Sequence, residues 1–413
     1  MNELTSTKKI VLSLQHLLAM FGATVLVPLQ TGLDPGLSLI CAGIGTLLFH
    51  SVTKGIVPVF LGSSFAFITA ISMTLAGQGI GALKAGIIAT GLVYILMALV
   101  IKCVGVNKVK SFFPPIVVGP IIMVIGLRLS PVAIEMAGYS YDTITKIGTI
   151  DPKSVFVAGV VIITMIIVSI FAKGFFKLVP ILISIVIGYI TAGLLGFVDV
   201  EPIRNASLIG LSKEGMEYLT AIPEFSWEAI IGIAPIALVV FIEHIGDITT
   251  NGAVVGKNFF EDPGIHRTLL GDGLATAVAG ILGGPANTTY GENTGVLAVT
   301  KVYDPSILRT AAVFAVGLGL CGKVTAAIRT IPTPVMGGIS IILFGMIASV
   351  GVRTLVDAKL DFTHSRNLII AALIFVIGLS VNNIALAGSI TISGLAVAAL
   401  VGVVLNKVLP QDI

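Results

Sequence analysis

The stretch Asn287-Thr-Thr-Tyr-Gly-Glu-Asn-Thr-Gly-Val296 places a carboxylate, two asparagines, three threonines and two glycines between long apolar segments. Such a stretch cannot lie bare in hydrocarbon, because unsatisfied polar groups cost several kcal/mol each there. It must therefore be buried in protein or line a wet cavity. A polar break at membrane depth is typical of a binding site, and the rest of the chain is interpreted around it.

Composition indicates an all-α polytopic membrane protein. Hydrophobic residues make up 56% of the 413 residues, charged residues 11%, and the mean hydropathy is +1.07. Apolar stretches of about 18 or more residues recur, whereas the alternating segments of a β-barrel do not. A net charge of +3, spread along the chain, gives no support to a nucleic-acid partner. The scattered Cys41, Cys103 and Cys321 show no metal or redox spacing, so we predict no metal and no cofactor.

We predict fourteen transmembrane segments, of which the third and the tenth are broken into a short extended strand and a half-helix. The Pro, Gly and paired Ser of Pro58–Phe67 argue against an uninterrupted third helix. The predicted segments are approximately 9–29, 36–53, 58–77, 80–103, 114 onward, 154–172, 176–195, 227 onward, 268–283, 287–300, 305–328, 334–350, 368–381 and 390–405.

Three groups of residues recur in the same order and at similar separations in the two halves of the chain, which indicates a duplication of seven segments. Because seven is odd, the second copy must be inverted relative to the first. Inverted repeats with paired broken helices are typical of secondary transporters whose site lies at mid-membrane. The pairs are Gln15-His16 with Glu243-His244, Ser63-Ser64-Phe65 with Thr288-Thr289-Tyr290, and Pro115, Gly119 and Gly126 with Pro334, Gly338 and Gly345.

The distribution of basic residues predicts the orientation in the lipid bilayer. Sixteen Lys and Arg fall on the loops and helix ends of one side and eight on the other. Because cytoplasmic loops carry the excess of positive charge, the first side is predicted to be cytoplasmic. An even number of segments then places both termini in the cytoplasm. We expect a multi-pass protein of the cytoplasmic (plasma) membrane, which is the inner membrane in cells that have two.

Three carboxylates converge on the predicted crossing of the broken segments. Glu243 and Asp247 are four residues apart and share one helix face, and Glu292 opens the second half-helix. Crowding them in a low-dielectric site favours protonation of at least one, which would be a device for proton coupling. The structural alternative is that the acids of the eighth segment are buried and paired with hydroxyls or helix ends.

No Lys or Arg lies within these motifs, which favours a neutral ligand over a strongly anionic one. Carboxylates accept from N–H donors, and half-helix N-termini donate to carbonyl groups. A nucleobase edge offers this pattern. Phe65, Phe67 and Tyr290 could supply a stacking face, although for Phe67 core packing is the better interpretation.

At these residues the chain resembles the nucleobase–ascorbate transporter (nucleobase:cation symporter-2) family, and within it the bacterial uracil permeases. Purine-transporting members tend to carry Gln where this chain has Glu292, and Glu is similar to the uracil branch. The resemblance runs almost end to end. It is densest in Ser13-Leu-Gln-His-Leu-Leu-Ala-Met-Phe-Gly-Ala-Thr-Val-Leu-Val-Pro28, Leu61-Gly-Ser-Ser-Phe-Ala-Phe-Ile68, Asn287–Gly295 and Pro334-Val-Met-Gly-Gly338.

The resemblance implies a division of the fourteen segments into two domains. The core domain would comprise residues 1–104 (segments 1–4) and 226–330 (segments 8–11). The gate domain would comprise 105–200 (segments 5–7) and 331–413 (segments 12–14), with 201–225 as an extracellular loop. It also implies proton-coupled uptake of uracil by alternating access, with the proton as the coupling ion, and a homodimer formed through the gate domain.

The resemblance also assigns roles to residues. Glu243 and Glu292 would hydrogen-bond the base, and the backbones of Phe65, Tyr290 and Gly291 would supply further contacts. Glu243, Asp247 and Glu292 are the candidates for proton coupling. The remaining candidates belong to a supporting network around the site, which comprises His16, Ser64, Asp272, Thr289 and Asn293.

Two positions depart from the uracil permeases, which carry His where this chain has Asp247 and Tyr where it has Phe344. If that pair tunes protonation, Asp247 is the substitute here. A purine symporter (xanthine or urate) of the same fold therefore remains open, as does an anion carrier or channel. An intramembrane enzyme has the least support, because no nucleophile–base pair stands out and Glu243-His244 lacks the second His of a zinc helix.

Overall fold

Helices account for most of the residues that the computed structural model describes, which are 6–105, 108, 111, 113–142, 145–381, 383–387 and 390–410. Short 3-10 turns, Phe65–Phe67 and Gly174–Leu178, precede α3 and α6. The first half contains α1 (Ser6–Thr31), α2 (Pro35–Val52), β1 (Leu61–Ser63), α3 (Ile68–Val104), α4 (Pro115–Met136), β2 (Tyr139–Asp142), β3 (Ile147–Ile150), α5 (Pro152–Phe171) and α6 (Pro180–Leu194).

The polar interval that follows holds two short helices, α7 (Glu201–Asn205) and α8 (Lys213–Thr220). We call the side of the molecule that carries them the outer side and the opposite side the inner side. The second half contains α9 (Trp227–Ile233), the 3-10 turn Ala234–Ile236, α10 (Ala237–Val255), the π-type turn Phe260–Gly264, α11 (Ile265–Leu282), β4 (Asn287–Thr289), α12 (Gly291–Thr300), α13 (Pro305–Gly319), α14 (Gly322–Arg329), α15 (Thr333–Asp357), α16 (Ser365–Ser380), β5 (Asn383–Ala387), β6 (Ile390–Ser393) and α17 (Gly394–Val408).

Within the described residues the elements form the fourteen segments that the sequence predicts. Seven helical stretches are long and apolar enough to cross a membrane by themselves, and the rest are shorter or broken. The continuous stretch from Phe65 to Val104 counts as two segments, because Gly79 adopts φ +80° and ψ −178° inside it. The helices α9 and α10 together make the eighth segment, Trp227–Val255.

Two predicted segments differ in shape from the structure. The segment predicted over 305–328 is bent by 78° between α13 and α14. The last segment was predicted to begin as a helix at residue 390, but Ile390–Ser393 forms a strand that pairs with β5, and α17 begins only at Gly394. Its Ile-Thr-Ile run is rich in β-branched residues, which favour a pleated strand over a helix.

The helix boundaries follow from recurrent local signals. Asp34, Asp151 and Asp304 each precede a proline at the first helical position, and each side chain accepts from a backbone N–H in the first turn. At Asp151, hydrogen bonds from the Ser154 hydroxyl and from backbone N–H groups hold the pKa of the carboxyl below its usual range. These caps satisfy N–H groups that the helix itself leaves without partners.

The two broken segments meet in the middle of the molecule, as predicted. The strands β1 and β4 pair antiparallel, with Leu61 opposite Thr289, Gly62 opposite Thr288 and Ser63 opposite Asn287. Equivalent strands of two copies run antiparallel when one copy is inverted, so the pairing confirms the inverted repeat. The pairing also satisfies backbone polar groups at a depth where water is absent.

The long helices pack in two groups. In the core bundle, α2 packs against α11 and α13, and α3 packs against α11 and α9. In the gate bundle, α4 packs against α15 and α16, α5 packs against α6 and α15, and α16 packs against α17. Between the bundles, the Gln30 amide donates to the Ser340 hydroxyl (2.7 Å), and the rings of Phe65 and Phe344 lie edge to face at 6.4 Å.

The outer interval is fastened to the core bundle. The buried Lys84 ammonium of α3 donates to the carbonyl oxygens of Leu219 (3.1 Å) and Ala221 (2.6 Å) at the C-terminal end of α8. At the opposite end of α8, the Ser212 hydroxyl donates to Asp34 (2.7 Å). A cation at a helix C-terminus meets the negative end of the helix dipole, which stabilises this attachment.

Candidate substrate-binding site

The backbone of the crossing positions two helix starts close to each other. The Tyr290 N–H donates to the Phe60 carbonyl (3.0 Å), and the Ser64 N–H donates to the Ala286 carbonyl (2.9 Å). Directly after these bonds the chain enters α12 on one side and the turn leading into α3 on the other. The first N–H groups of each half-helix therefore lie beside the short sheet, free of intrahelical acceptors.

Side chains from neighbouring helices satisfy the extended backbone of the crossing. Thr46 accepts from the Leu61 N–H (2.9 Å), and the Thr276 hydroxyl donates to the Asn287 carbonyl (3.1 Å). The Asn251 amide donates to the Pro58 carbonyl (3.0 Å). Sequence reasoning did not single out these three residues. Their signal is a polar side chain within an apolar helical segment, which is costly unless it finds a partner.

Tyr290 is a structural residue of the crossing through its side chain. Its ring is buried, and its hydroxyl donates to the Ser63 carbonyl (2.9 Å). Gly62 lies against the face of this ring, where any β-carbon would collide with it. The prediction of a stacking face is thus wrong for the Tyr290 ring. Phe67 is buried in the core, in agreement with the interpretation that its ring serves core packing. The Phe65 ring is only half buried.

The three predicted carboxylates are brought together. Glu243 and Asp247 share a face of α10, and Glu292 lies in the first turn of α12. Each of the three is partly buried, and Glu243 lies within electrostatic range of the other two and of Asp272. The Thr289 hydroxyl donates to Asp247 (2.7 Å), which ties α10 to the end of β4. Asp247 also lies beside the backbone of Gly291.

His16 and Asn293 form one part of the predicted supporting network. The Asn293 amide donates to the Nδ1 atom (3.1 Å) and the carbonyl oxygen (3.0 Å) of His16. Because Nδ1 accepts, a neutral His16 carries its hydrogen on Nε2. Both residues are buried, so the contact fastens the first turn of α12 to α1.

Asp272, a predicted member of the supporting network, forms a buried contact with His244 of α10. His244 Nδ1 donates to Asp272 Oδ2 (2.7 Å), and His244 Nε2 lies 2.9 Å from the Thr268 hydroxyl. In the sequence, His244 stands out only as part of the repeated motif, although it directly follows Glu243. Its two bonds to α11 fix the rotation of α10, and that rotation decides where the neighbouring Glu243 points.

Ser64 does not join the network through its side chain. Its hydroxyl is buried, and among the described residues it has no hydrogen-bond partner. Its contribution in the structure is the backbone bond to Ala286. Also within the described residues, no Lys or Arg forms an ion pair with Glu243, Asp247 or Glu292. No cluster of potential metal ligands occurs in the same residues.

A face lined by small residues leads from the carboxylates toward the inner side. Small and polar residues are exposed along α10 and α12 between the carboxylates and the inner ends of these helices at Lys257 and Lys301. Lipid-facing surfaces are apolar, so exposed glycines and threonines beside two acids indicate a wet vestibule. The exposed residues of small or polar type include Gly246, Thr249, Thr250, Gly291, Gly295 and Ala298, and the apolar Val299 of α12 is exposed as well.

Comparison with known proteins identifies the family. Residues 7–386 match the model of a permease family. The uracil permease of Bacillus caldolyticus is 45% identical over 405 residues, covering 97% of this chain and 92% of the relative. That of Bacillus subtilis (strain 168) is 44% identical over 404 residues, with coverage of 97% and 92%. That of Escherichia coli (strain K12) is 40% identical over 397 residues, with coverage of 96% and 90%.

Solved structures show the same fold at low sequence identity. The transmembrane domain of a cyanobacterium bicarbonate transporter, BicA, superimposes with a TM-score of 0.66 at 15% identity, covering 92% of this chain and 98% of that chain. Murine Solute Carrier 26 family member A9, an anion transporter in the inward-facing state, gives 0.72 at 11% identity, covering 98% and 68%. The match over residues 7–386 and the relatives at 40–45% identity show that the chain belongs to the permease family of nucleobase–ascorbate transporters.

Proposed function

We propose that this protein is a secondary transporter that takes up uracil across the cytoplasmic membrane together with a proton. The observation that carries the proposal is the pair of acids at the crossing, Glu243 and Glu292, which have no basic partner among the described residues. Uracil permeases at 40–45% identity over nearly the whole chain support the choice of substrate.

The geometry supplies complementary groups for one edge of a uracil ring. Glu243 and Glu292 accept from the ring N–H groups. The backbone N–H groups of Phe65 and Gly291 lie at the crossing and would donate to the ring carbonyls, whereas the Tyr290 N–H is already bonded to the Phe60 carbonyl. The half-buried Phe65 ring offers an apolar wall beside them.

The three carboxylates carry the proposed proton coupling. Glu243, Asp247 and Glu292 lie within electrostatic range of one another in a partly buried site, where three negative charges repel and are poorly solvated. A bound proton relieves this repulsion, and a base that needs carboxylate acceptors binds best when the remaining acids are charged.

We further propose that the core domain (1–104 and 226–330) moves against the gate domain (105–200 and 331–413). The separate packing of the two bundles supports this division. In this state the carboxylates face the inner vestibule. We also propose that both termini lie in the cytoplasm, which the distribution of basic residues supports; residues 1–5 and 411–413 lie outside the described residues. Homodimer formation through the gate domain is part of the same proposal and is tested by cross-linking in membranes.

A purine or an anion as the transported substrate would be recognised by the uptake experiment below. Asp247 in place of the His of the uracil permeases would favour a purine, and the fold neighbours are transporters of bicarbonate and other anions. An anion would require a cation or helix end as its partner. The crossing offers helix ends, but the adjacent acids repel a negative ligand.

Uptake of labelled uracil into proteoliposomes tests the function. We expect accumulation that rises when an inside-alkaline pH gradient is imposed and collapses when the gradient is dissipated. Excess xanthine, urate and bicarbonate should compete poorly. Uptake that ignores the pH gradient would refute the proton coupling, and displacement of uracil by xanthine would refute the substrate assignment.

A further inference from the structure

A second cavity opens between the two bundles on the outer side, away from the carboxylates. Its volume is about 140 Å³, several times the roughly 10–15 Å³ that one water requires. The core wall is formed by the first half of α3 and by α9, and the gate wall by α4 and the start of α17. We call this cavity the outer cleft.

The outer cleft runs toward the crossing but is closed before it. Phe65, Thr69 and Met73 are spaced at intervals of four residues, so they lie along one face that leads outward from the crossing. At the inner end of this face, the Phe65 ring packs edge to face against Phe344 of the gate bundle. None of the three carboxylates of the crossing lines the outer cleft, and the Phe65 ring is the innermost part of this face of its lining.

Polar groups of complementary chemistry flank the outer end of the cleft. Arg128 lies on the gate wall, where its guanidinium also donates to the Gly378 carbonyl (3.4 Å), and Glu228 and Gln78 lie on the core wall. The Ser226 hydroxyl donates to the Gln78 side-chain oxygen (2.5 Å), which fixes the orientation of that amide. A guanidinium donates to carbonyl oxygens and a carboxylate accepts from N–H groups, so together they match an edge that alternates carbonyl and N–H groups.

We propose that the outer cleft is an entry site, which holds a single neutral pyrimidine ring between Arg128 and Glu228 before the ring passes the Phe65–Phe344 pair. The proposal rests on the proposed function and adds a second site to it. Binding at this site brings the ring to the aromatic pair in an orientation set by the two walls. Separation of the walls during the change of state then admits the ring to the crossing.

Gly232 allows the cleft to be filled without disturbing its surroundings. It lines the core wall on α9, and a β-carbon built there meets no atom within 4 Å. We expect Gly232→Phe to lower uracil uptake into cells at least 10-fold, while equilibrium binding of uracil to the purified variant stays within about 3-fold of the wild type. Gly317→Phe is the matched control, because Gly317 on α13 also has no atom near its β-carbon but lies outside the cleft.

A second variant tests the role of the Glu228 carboxylate rather than the volume of the outer cleft. Glu228→Gln should raise the KM of uracil uptake several-fold and leave the maximal rate and the binding to purified protein unchanged. If Gly232→Phe takes up uracil at the wild-type rate, the proposal is overturned. It is also overturned if Gly232→Phe loses equilibrium binding together with uptake, because the entry site and the site at the crossing would then not be separate. The proposed function fails by a different result, namely a wild-type protein that takes up no uracil.

Discussion

The two half-helix starts at the crossing share a backbone arrangement but differ in side-chain chemistry. The strand pairing is symmetric about Gly62 and Thr288, so Glu292 in the second repeat corresponds to Ala66 in the first. In the repeated sequence motif, Glu243 corresponds to Gln15. The duplication therefore supplied two sets of backbone donors, whereas the acids lie in the second repeat alone. The repeat explains the shared backbone, and divergence of the second copy explains the acids to which we assign binding of the base and the proton.

Removing the charge of Glu292 at the start of α12 should have the largest effect on uracil affinity. Glu292→Gln keeps the size of the side chain but removes the charge, and hydrogen bonds to charged groups contribute about 1.5–3 kcal/mol. We expect uracil binding by the purified protein to weaken by about 10- to 150-fold, measured by calorimetry. Ser64→Ala, at the uncharged start, is the control and should change affinity less than 3-fold. Equal effects of the two variants would refute the asymmetry.

Disturbing the shared frame should affect stability rather than affinity alone. In Gly62→Ala the new methyl group meets the Tyr290 ring, and overpacking of this kind costs about 1–3 kcal/mol. The melting temperature of the purified protein should fall by several degrees. Gly77→Ala is the control, because its methyl group meets no atom within 4 Å and alanine favours the helix. A melting temperature that is unchanged in Gly62→Ala would show that the ring moves aside freely.

Removing the hydrogen bond from Thr289 to Asp247, which joins β4 to α10, should have the smallest effect on uracil affinity. Thr289→Val deletes the hydroxyl that donates to Asp247, and such a bond contributes about 0.5–1.5 kcal/mol. Uracil affinity should weaken by about 2- to 10-fold in Thr289→Val and be kept in Thr289→Ser, which retains the donor. If the serine variant loses as much affinity as valine, then the methyl group and not the hydroxyl is responsible.

The features that the sequence could predict are those with a strong local signal. Long apolar stretches determine the segments, and the breaks at Pro58–Phe67 and Asn287–Val296 contain residues that hydrocarbon cannot accommodate. Antiparallel pairing of Gly62 with Thr288 followed from the inverted repeat, although these residues lie far apart along the chain. Crowding of the three acids followed from helical spacing and the same repeat.

The features that escaped prediction depend on tertiary contacts. Nothing local indicates that the Tyr290 ring packs on Gly62, or that His244 reaches Asp272 on the next helix. The bend between α13 and α14 and the hairpins β2–β3 and β5–β6 also escaped prediction, because short elements of four or five residues carry only a weak periodic signal. A single sequence gives the residues of the site but not their partners.

The joined strands β1 and β4 have a consequence for the energetics of accumulation. Because both half-helix starts are hydrogen-bonded into one sheet, we expect the proposed site to keep its donors and acceptors whichever compartment it faces. The affinity of a binding site does no net work over a closed transport cycle, whether or not it is equal on the two sides. The concentration ratio that the proposed uptake can sustain is therefore set by the gradient of the coupled ion, and the role of the sheet is to keep the site intact between the two states.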